Sequence, residues 1–355
     1  MILSIILVIL FLSVLVLIHE LGHFLAGKYF GLWVEEFGIG LPPRAWGKKI
    51  GETIYSVNWL PFGGFVKIFG ENREGESEGQ IEGQNSFSSL SVSKRAVILF
   101  AGVLMNFLLG WFLISLIFAI GIPQSILVSD VQAVSPAAEA GLLAGDKVKG
   151  VKLEEEFFRE LNLADFTDFV KSNAGREVVV QIERDNKIKE FKIVPRMNPP
   201  AGQGALGVLL VESGVPRSSN LFRSLWEGLK ASWEIVRLMF QFLGQLLFRI
   251  ISGQKVDFSQ FTGPVGITKI TAEVGTLGIL YLLQFFAFIS LNLAVLNILP
   301  IPALDGGRLL FLAVEKIKGS PLPRKFEKYA NAAGMAILLT LMVLITIKDI
   351  ARLFS

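Results

Sequence analysis

The sequence has no cysteine and only two histidines among its 355 residues. The absence of cysteine excludes disulfides, thiolate metal ligands and cysteine nucleophiles, so any bound metal must be held by histidine or carboxylate side chains. Charge is also scarce, since charged residues make up 18% of the chain and the net charge is +3. So small a positive excess predicts no nucleic-acid partner. Hydrophobic residues instead reach 52%, a share that favours several membrane spans over a soluble globular fold.

Both histidines lie in one short segment, at the end of an apolar run that begins at the N-terminus. The segment is His19-Glu20-Leu21-Gly22-His23. Residues four apart share one face of a helix, so the two imidazoles can reach a single ion. Glu20 projects beside them and can take a proton from an attacking water. This H-E-x-x-H pattern is typical of zinc hydrolases, and the alternative is a pair of helix-end histidines at a lipid interface without a metal.

Four apolar stretches are close to the ~20 residues that a helical membrane span needs. They cover about 2–25, 96–120, 277–299 and 330–347. Basic residues are absent before the first stretch and frequent after it, so the positive-inside rule predicts that residues 26–94 are cytoplasmic. An even number of spans then puts both termini outside and His19 near the cytoplasmic side. Within the second span, Asn106 is predicted to make a hydrogen bond between helices, in preference to a catalytic role.

Between the first two spans, residues 37–70 predict a small β-sheet. Residues 53–59 alternate polar and apolar side chains, as a half-buried strand does. The following segment contains Gly63 and Gly64, which predict a turn that leads into another strand. Glycines and aromatic residues so close to the first span favour a sheet at the membrane edge, whose open edge could pair with an extended peptide. A plain cytoplasmic loop is the simpler alternative.

Between the second and third spans the chain becomes polar over residues 123–212. A strand pair is predicted around Asp185-Asn186. Residues 135–146 read Ser-Pro-Ala-Ala-Glu-Ala-Gly-Leu-Leu-Ala-Gly-Asp and resemble the motif of PDZ domains, in which small residues form a short helix and Gly-Asp precedes the next strand. The resemblance implies a groove for an extended peptide or a C-terminus, with residues 204–208 as its carboxylate loop and binding strand. Residues 154–166 depart from that motif, and a β-rich domain with an empty groove is the alternative.

After this domain, apolar residues recur at helical spacing over 216–252 and alternate with charged ones. This pattern predicts an amphipathic helix that lies on the outer lipid surface. Its second half, 238–251, is apolar but short for a span. Counting it as a fifth span would also separate the histidines from the acidic motif described next. Residues 263–267, Gly-Pro-Val-Gly-Ile, are predicted as a turn before the third span.

The third span ends in a segment that cannot continue as a helix. Residues 297–308 read Asn-Ile-Leu-Pro-Ile-Pro-Ala-Leu-Asp-Gly-Gly-Arg, and irregular backbone at membrane depth is tolerated only around a cavity or a site. A catalytic zinc site has three protein ligands, and Asp305 is the best candidate for the third. The alternatives for Asp305 are an N-cap or a salt bridge to Arg308. Glu35 and Glu36 are rival acidic ligands.

Taken together, the H-E-x-x-H motif, the hairpin, the PDZ-like insert and N-x-x-P-x-x-x-L-D-G-G resemble the site-2 protease family of intramembrane zinc metalloproteases, closest to its bacterial regulator of sigma-E protease type. The resemblance implies that zinc is bound by His19, His23 and Asp305, and that Glu20 is the catalytic acid and base. It further implies that five residues help to hold the substrate in an unwound form, namely Asn297, Pro300, Pro302, Gly63 and Gly64. The sequence departs from that type in having one PDZ-like domain where the type has two.

The implied activity is cleavage of a single-pass membrane protein within its span, which releases a cytoplasmic regulator such as an anti-sigma factor fragment. The implied location is the bacterial plasma (inner) membrane, with the active site near the cytoplasmic side and the PDZ domain outside. A different class of function, a metal or proton transporter, could use the same His, Glu and Asp cluster as an ion pathway.

The predicted fold class is therefore an α-helical polytopic membrane protein with four transmembrane helices, a membrane-edge β-hairpin sheet and an inserted extracytoplasmic α+β PDZ domain. The predicted order along the chain is transmembrane helix 1 (1–30), cytoplasmic loop with the hairpin (31–94), transmembrane helix 2 (95–121), PDZ domain (122–213), amphipathic helix and linker (214–276), transmembrane helix 3 with the broken segment (277–312), cytoplasmic loop (313–329) and transmembrane helix 4 (330–355).

Overall fold

The structure is a computed structural model that describes residues 2–71, 85–154, 156–159, 162–184, 187–200, 202–255 and 261–353. The chain forms two compact units, one of Met1–Leu116 with Leu221–Ser355 and the other of Ile117–Asn220. Residues 72–84, and Asp185-Asn186 around which the strand pair is predicted, lie outside the described residues. The elements are α1 (Ile2–Tyr29), β1 (Val34–Ile50), β2 (Thr53–Ile68), α2 (Val92–Ile120), β3 (Ile122–Val131), α3 (Pro136–Ala140), β4 (Lys147–Leu153), β5 (Glu156–Arg159), α4 (Leu163–Ser172), β6 (Val178–Arg184), β7 (Lys187–Ile193), β8 (Val208–Val215), α5 (Leu221–Ile251), α6 (Pro264–Leu277), α7 (Ile279–Ile298), α8 (Asp305–Lys318) and α9 (Arg324–Leu353).

Four helices of the first unit are long and apolar enough to cross a membrane, as predicted. Their candidate spans are Ile6–Tyr29, Val92–Ile120, Ile279–Ile298 and Lys325–Arg352. Helix α5 is one continuous helix of 31 residues, and among the described residues it is not a candidate span. By length and composition, the number of candidate spans among the described residues agrees with the four that the hydropathy pattern predicts.

Helix α5 packs its small residues against α2. Ser224, Gly228 and Ser232 are the buried positions of α5. A Cβ added at Gly228 would lie 2.1 Å from the Ser115 side chain, so only glycine permits this close approach. The Trp111 indole Nε1 donates to the Leu225 carbonyl at 2.9 Å and joins the same two helices. One face of the amphipathic helix α5 therefore packs against α2.

The segment 263–267, predicted as a turn, is instead the start of helix α6. Pro264 occupies the first helical turn, where its missing N–H costs nothing. The Asp349 carboxylate near the end of α9 accepts from the Gly263 and Gly266 backbone N–H groups at 2.8 and 2.9 Å. A carboxylate from a distant helix therefore caps α6, which a local sequence pattern does not reveal.

The predicted hairpin is present but larger than expected, and its tip is not at Gly63 and Gly64. Strands β1 and β2 pair antiparallel, and the tip lies between the paired residues Ile50 and Thr53. Residues 36–39 pair on one side with 64–67 and on the other with 54–57. The two segments of β2 run in opposite directions along residues 36–39, so the chain reverses between residues 57 and 64 as predicted, and Gly63 and Gly64 lie at the end of that reversal.

The second unit is an α+β domain with a six-stranded sheet in the order β7-β6-β4-β3-β8, to which β5 is added beside β4. The predicted short helix and strand are present, since α3 begins after the Ser135 cap and β4 begins after Asp146. Strands β6 and β7 form the predicted pair. Its core is apolar and includes Phe166, Val151 and Val180. Strand β8 lies at the edge of the sheet, where a further strand could add.

One ion pair holds this unit together beside its core. The Asp146 side chain is 1% exposed and accepts from Arg184 Nε and Nη2, both at 2.6 Å. Burial raises the pKa of Asp146, but the Arg184 hydrogen bonds and a bond from the Leu143 N–H outweigh it, so the pKa is lowered overall. The stabilisation is therefore full above about pH 4 and is lost as the pH falls through the lowered pKa of the folded state.

We expect Asp146→Asn in the full-length chain to destabilise this unit by about 3 kcal/mol at pH 7, because the guanidinium of Arg184 loses its buried counter-charge. Hydrogen exchange in β4 and β6 should then accelerate about 10²-fold. The matched control is Glu183→Gln, which removes the more exposed Lys149–Glu183 pair and should change exchange little. Equal exchange in both variants would contradict the prediction.

Candidate metal centre

The two histidines lie on the face of α1 that packs against α2. His19 and His23 are 8% and 7% exposed, and their Nε2 atoms are 3.2 Å apart. Two glycines make this crossing possible. A Cβ added at Gly22 would lie 2.3 Å from the Ala101 carbonyl oxygen, and one added at Gly102 would lie 2.4 Å from His23 Nε2. The sequence does not reveal either role, because each glycine is required by the close approach of α1 to α2 and not by the H-E-x-x-H motif itself.

The non-helical segment between α7 and α8 positions Asp305. Helix α7 ends at Ile298 and α8 begins at Asp305, with the non-glycine residue Ala303 at φ 79° between them. The Ala303 N–H donates to Asn331 Oδ1 of α9 at 3.0 Å. This contact between α9 and the loop supports a backbone conformation that L-residues rarely adopt.

Gly306 and Gly307 explain why two glycines follow the aspartate. Added Cβ atoms would lie 2.1 Å from the Leu299 carbonyl oxygen and 2.3 Å from the Ile301 carbonyl oxygen, respectively. The first turn of α8 thus folds back directly on the loop that precedes it. Gly334 of α9 makes a similar approach to the Pro302 carbonyl oxygen, at 2.2 Å from its added Cβ. Close backbone packing on both sides fixes the start of α8.

These elements bring three ligand atoms together. Asp305 Oδ2 lies 3.0 Å from His19 Nε2 and 3.3 Å from His23 Nε2. Ligands at 2.0–2.2 Å from a tetrahedral zinc ion would be about 3.3–3.6 Å apart, which is close to this spacing. Asp305 Oδ2 is also buried without a hydrogen-bond partner among the described residues, as expected of an oxygen that binds a cation. The residues therefore fit a zinc ion, and over the part of the chain that the structure describes they form the one such group of three.

The outer nitrogen of His23 is held by the backbone of α2. His23 Nδ1 lies 2.9 Å from the Ile98 carbonyl oxygen. A carbonyl can only accept, so Nδ1 carries the proton and Nε2 has a free lone pair that faces Asp305. This tautomer is the one that a metal ligand needs.

Asn106 lies beside the other histidine. Its side-chain Nδ2 is 3.4 Å from His19 Nδ1, and its backbone carbonyl accepts from Ser290 Oγ of α7 at 2.7 Å. The predicted link between helices thus runs through the backbone oxygen, whereas the side chain faces the metal centre. The sequence places Asn106 four residues after Gly102 on α2, but only the packing shows which histidine it meets.

Glu20 lies next to the ligand set and against strand β2. It is half-buried, and its Oε2 accepts from the Val66 N–H at 3.2 Å. Nearby, Ser13 of α1 accepts from the Gly63 N–H at 3.1 Å and donates to the Pro61 carbonyl at 2.9 Å. Gly64 is buried, and its added Cβ would lie 3.2 Å from the Leu17 side chain. The edge of β2 therefore runs along the helix that carries the H-E-x-x-H motif.

The other three residues predicted to hold the substrate lie at the end of α7 or in the non-helical segment that follows it. Asn297 is half-buried in the last turn of α7, Pro300 is exposed, and Pro302 is half-buried in the break. The rival acids are engaged elsewhere, since Glu36 pairs with Arg44 and Glu35 Oε2 lies 2.6 Å from Lys67 Nζ.

The N-cap of α8 is Leu304, so Asp305 is the first residue of the helix and not its N-cap. Arg308 forms a salt bridge with Glu71, just beyond the end of β2. Arg95 of α2 donates to Glu315 of α8. These two ion pairs attach the helix that carries Asp305 to α2 and to the hairpin.

Comparisons with known proteins agree with this geometry. The profile described as "Peptidase family M50" matches residues 7–341. A provisionally named zinc metalloprotease of Clostridium perfringens is 34% identical over 344 residues, which cover 95% of this chain and 96% of that protein. The regulator of sigma-W protease RasP of Bacillus subtilis is 29% identical, with 96% of each chain covered. The zinc metalloprotease RasP of Geobacillus kaustophilus is 28% identical, again with 96% of each chain covered.

One solved structure, the PDZ domain of the SdrC-like protein of Listeria monocytogenes, is 24% identical and covers 24% of this chain and 86% of its own, with a TM-score of 0.21. So low a TM-score carries no argument about the fold, and the PDZ assignment stays a prediction. None of the comparisons supports a transporter. The family match extends over nearly the whole chain, and by name two of these relatives are zinc metalloproteases and the third is a protease. The chain therefore belongs to peptidase family M50 and is an intramembrane zinc metalloprotease.

Proposed function

We propose that this protease hydrolyses a peptide bond inside the span of a single-pass membrane protein, at a zinc ion held by His19, His23 and Asp305. The observation that carries the proposal is the convergence of three ligand atoms, 3.0 to 3.3 Å apart, two from the apolar helix α1 and one from the first turn of α8. When bound there, zinc supplies Lewis acidity to the scissile carbonyl and to water. The protein supplies every other part of the reaction.

Glu20 is the proposed general base and then general acid. Its carboxylate takes the proton of the attacking water and later delivers it to the leaving amine. Support comes from its place in the motif beside His19 and from the contact of its Oε2 with the Val66 N–H. The carboxylate thus lies between the ligand face of α1 and the strand that would receive the substrate.

The substrate must be unwound before it can be cut, because a helical span hides its peptide bonds within its own hydrogen-bond ladder. We assign this task to the edge of β2 around Gly63 and Gly64, which can pair with an extended segment. Asn297, in the last turn of α7, can donate and accept hydrogen bonds with exposed backbone, and Pro300 and Pro302 would act beside it in the break. Ser13 supports this role, since it fixes the β2 edge to α1.

The proposed substrates are membrane-anchored regulators such as anti-sigma factors, in keeping with the sigma-W role in the name of the Bacillus subtilis relative. The β8 edge of the second unit would take a peptide or a C-terminus. We place the metal centre near the cytoplasmic side and the second unit outside a bacterial plasma membrane, on the distribution of basic residues. The exposed apolar face of α5 would lie on membrane lipid.

The test is reconstitution in liposomes with a single-pass substrate. We expect a cut whose position, located by mass spectrometry, lies inside the span. Removal of zinc by a chelator should lower the rate more than 10²-fold, because the Lewis acid is lost, and added zinc should restore it. A soluble substrate domain without its span is the control. Zinc-independent cleavage, or metal flux across the liposomes without any cut, would contradict the proposal.

A further inference from the structure

Among the described residues, the side chain of Asn106 has no hydrogen-bond partner besides His19. Asn106 is 1% exposed, and its Oδ1 is buried without a hydrogen-bond partner among the described residues. The one side-chain contact observed there joins Nδ2 to His19 Nδ1 at 3.4 Å. A buried amide oxygen without a donor costs about 1–3 kcal/mol, so its presence at a metal centre calls for a physical reason.

The chemistry of His19 supplies that reason. Its Nε2 faces Asp305 and His23, so it must keep a lone pair to bind a metal, and its Nδ1 must then carry the proton. A buried Nδ1–H needs an acceptor. For His23 the acceptor is the Ile98 carbonyl. For His19 the neighbouring group is the Asn106 amide, whose oxygen and nitrogen exchange places by a half-turn about the Cβ–Cγ bond.

We infer that Asn106 is a positioning residue, which accepts the Nδ1–H of His19 through Oδ1 and so fixes the ring and the tautomer for metal binding. The inference rests on the proposed ligation of zinc by His19. The half-turn costs no existing bond of Oδ1, since this atom has no partner among the described residues. The backbone of Asn106 is anchored independently by Ser290, which holds α2 in place while the amide turns.

The packing around Asn106 also explains why a side chain must supply this acceptor. A backbone carbonyl serves His23 because α1 and α2 cross closely at Gly22 and Gly102. His19 lies one turn earlier on α1 and meets α2 at Asn106, four residues beyond Gly102. There the Asn106 amide, on its single methylene, spans the remaining distance to the imidazole. Groups of this kind typically contribute 10–100-fold to metal affinity.

The test compares Asn106→Leu, which keeps the size but removes the acceptor, with Asn106→Asp, which keeps an acceptor oxygen. We expect the zinc affinity of full-length Asn106→Leu, measured by chelator competition in detergent, to fall about 10–100-fold. Asn106→Asp should bind zinc at least as tightly as the native protein. Ser290→Ala is the matched control, because it removes the bond to the Asn106 backbone and leaves the amide intact.

A second readout uses the fact that the chain has only two histidines. In zinc-loaded protein labelled with ¹⁵N-histidine, Asn106→Leu should shift the Nδ1 resonance of one imidazole and leave that of the other unchanged. If Asn106→Leu does not fold, Asn106→Ala takes its place, since a smaller side chain cannot clash.

Native zinc affinity with unchanged imidazole resonances in Asn106→Leu would overturn the inference. So would a fall in the cleavage rate alone, since Asn106 would then act on the substrate. His19→Ala separates this inference from the proposed ligation on which it rests. If His19→Ala retains zinc, the ligand assignment fails; if it loses zinc while Asn106→Leu does not, only the role of Asn106 fails.

Discussion

Glu20→Gln is expected to lower the cleavage rate by about 10³-fold while zinc stays bound, because the amide cannot take or deliver a proton and is not a ligand. Gln keeps the length of the side chain and can still accept a hydrogen bond from the Val66 N–H. The contact with β2 should therefore survive. The measurement is the single-turnover cleavage rate in liposomes, together with the zinc content per chain.

The comparison variant is His23→Ala, which removes a proposed ligand instead of the base. It should lose both zinc and activity, whereas Glu20→Gln should lose activity alone. The two variants thus separate proton transfer from metal binding within one turn of α1. Substantial cleavage by zinc-loaded Glu20→Gln would show that another group moves the proton. Zinc loss in Glu20→Gln would instead make Glu20 part of the ligand set.

Gly22→Ala is expected to abolish zinc binding and cleavage, although it touches neither a ligand nor the base. The added Cβ would lie 2.3 Å from the Ala101 carbonyl oxygen and 2.9 Å from the Gly102 Cα. Both are backbone atoms, so the clash can be relieved only by separating α1 from α2. Misplacement of a catalytic group by ~1 Å costs on the order of 10²-fold in rate. Overpacking adds a loss of about 1–3 kcal/mol in stability.

Gly27→Ala on the same helix is the matched control. Its added Cβ would meet only side-chain atoms at ordinary distances, of which the nearest is Ile68 Cδ1 at 3.5 Å. Alanine is also favoured over glycine inside a helix, by about 0.5–1 kcal/mol. Gly27→Ala should therefore retain zinc and activity. Equal behaviour of the two variants, in zinc content and in cleavage, would contradict the role assigned to the crossing of α1 and α2.

Local patterns in the sequence predicted the elements whose cause is local. The histidine pair needs only a helix to share a face, and apolar stretches of sufficient length identify the four candidate spans. The break before Asp305 follows from Pro300 and Pro302, which remove backbone donors and end α7. In each case the information lies within a few turns of chain.

Predictions failed where the partner is distant in sequence. At the hairpin the sequence missed that residues 36–39 of β1 lie between the two segments of β2, 54–57 and 64–67, which the predicted turn connects. The turn expected at 263–267 is the start of α6, which Asp349 caps from 83 and 86 residues away along the chain. Strand pairing and capping by distant residues depend on where the rest of the chain folds.

The sequence by itself determined which side chains could bind a metal, because it contains two histidines and no cysteine. It also determined that both histidines lie on an apolar helix. Only the tertiary structure decided that Asp305, 286 residues after His19, brings its oxygen within 3.0 Å of that histidine. It also decided that Gly22, Gly102 and Asn106 lie beside the proposed ligands, where α1 and α2 meet. The physical reason is that ligand geometry depends on how closely separate helices approach, which no pattern within one helix contains.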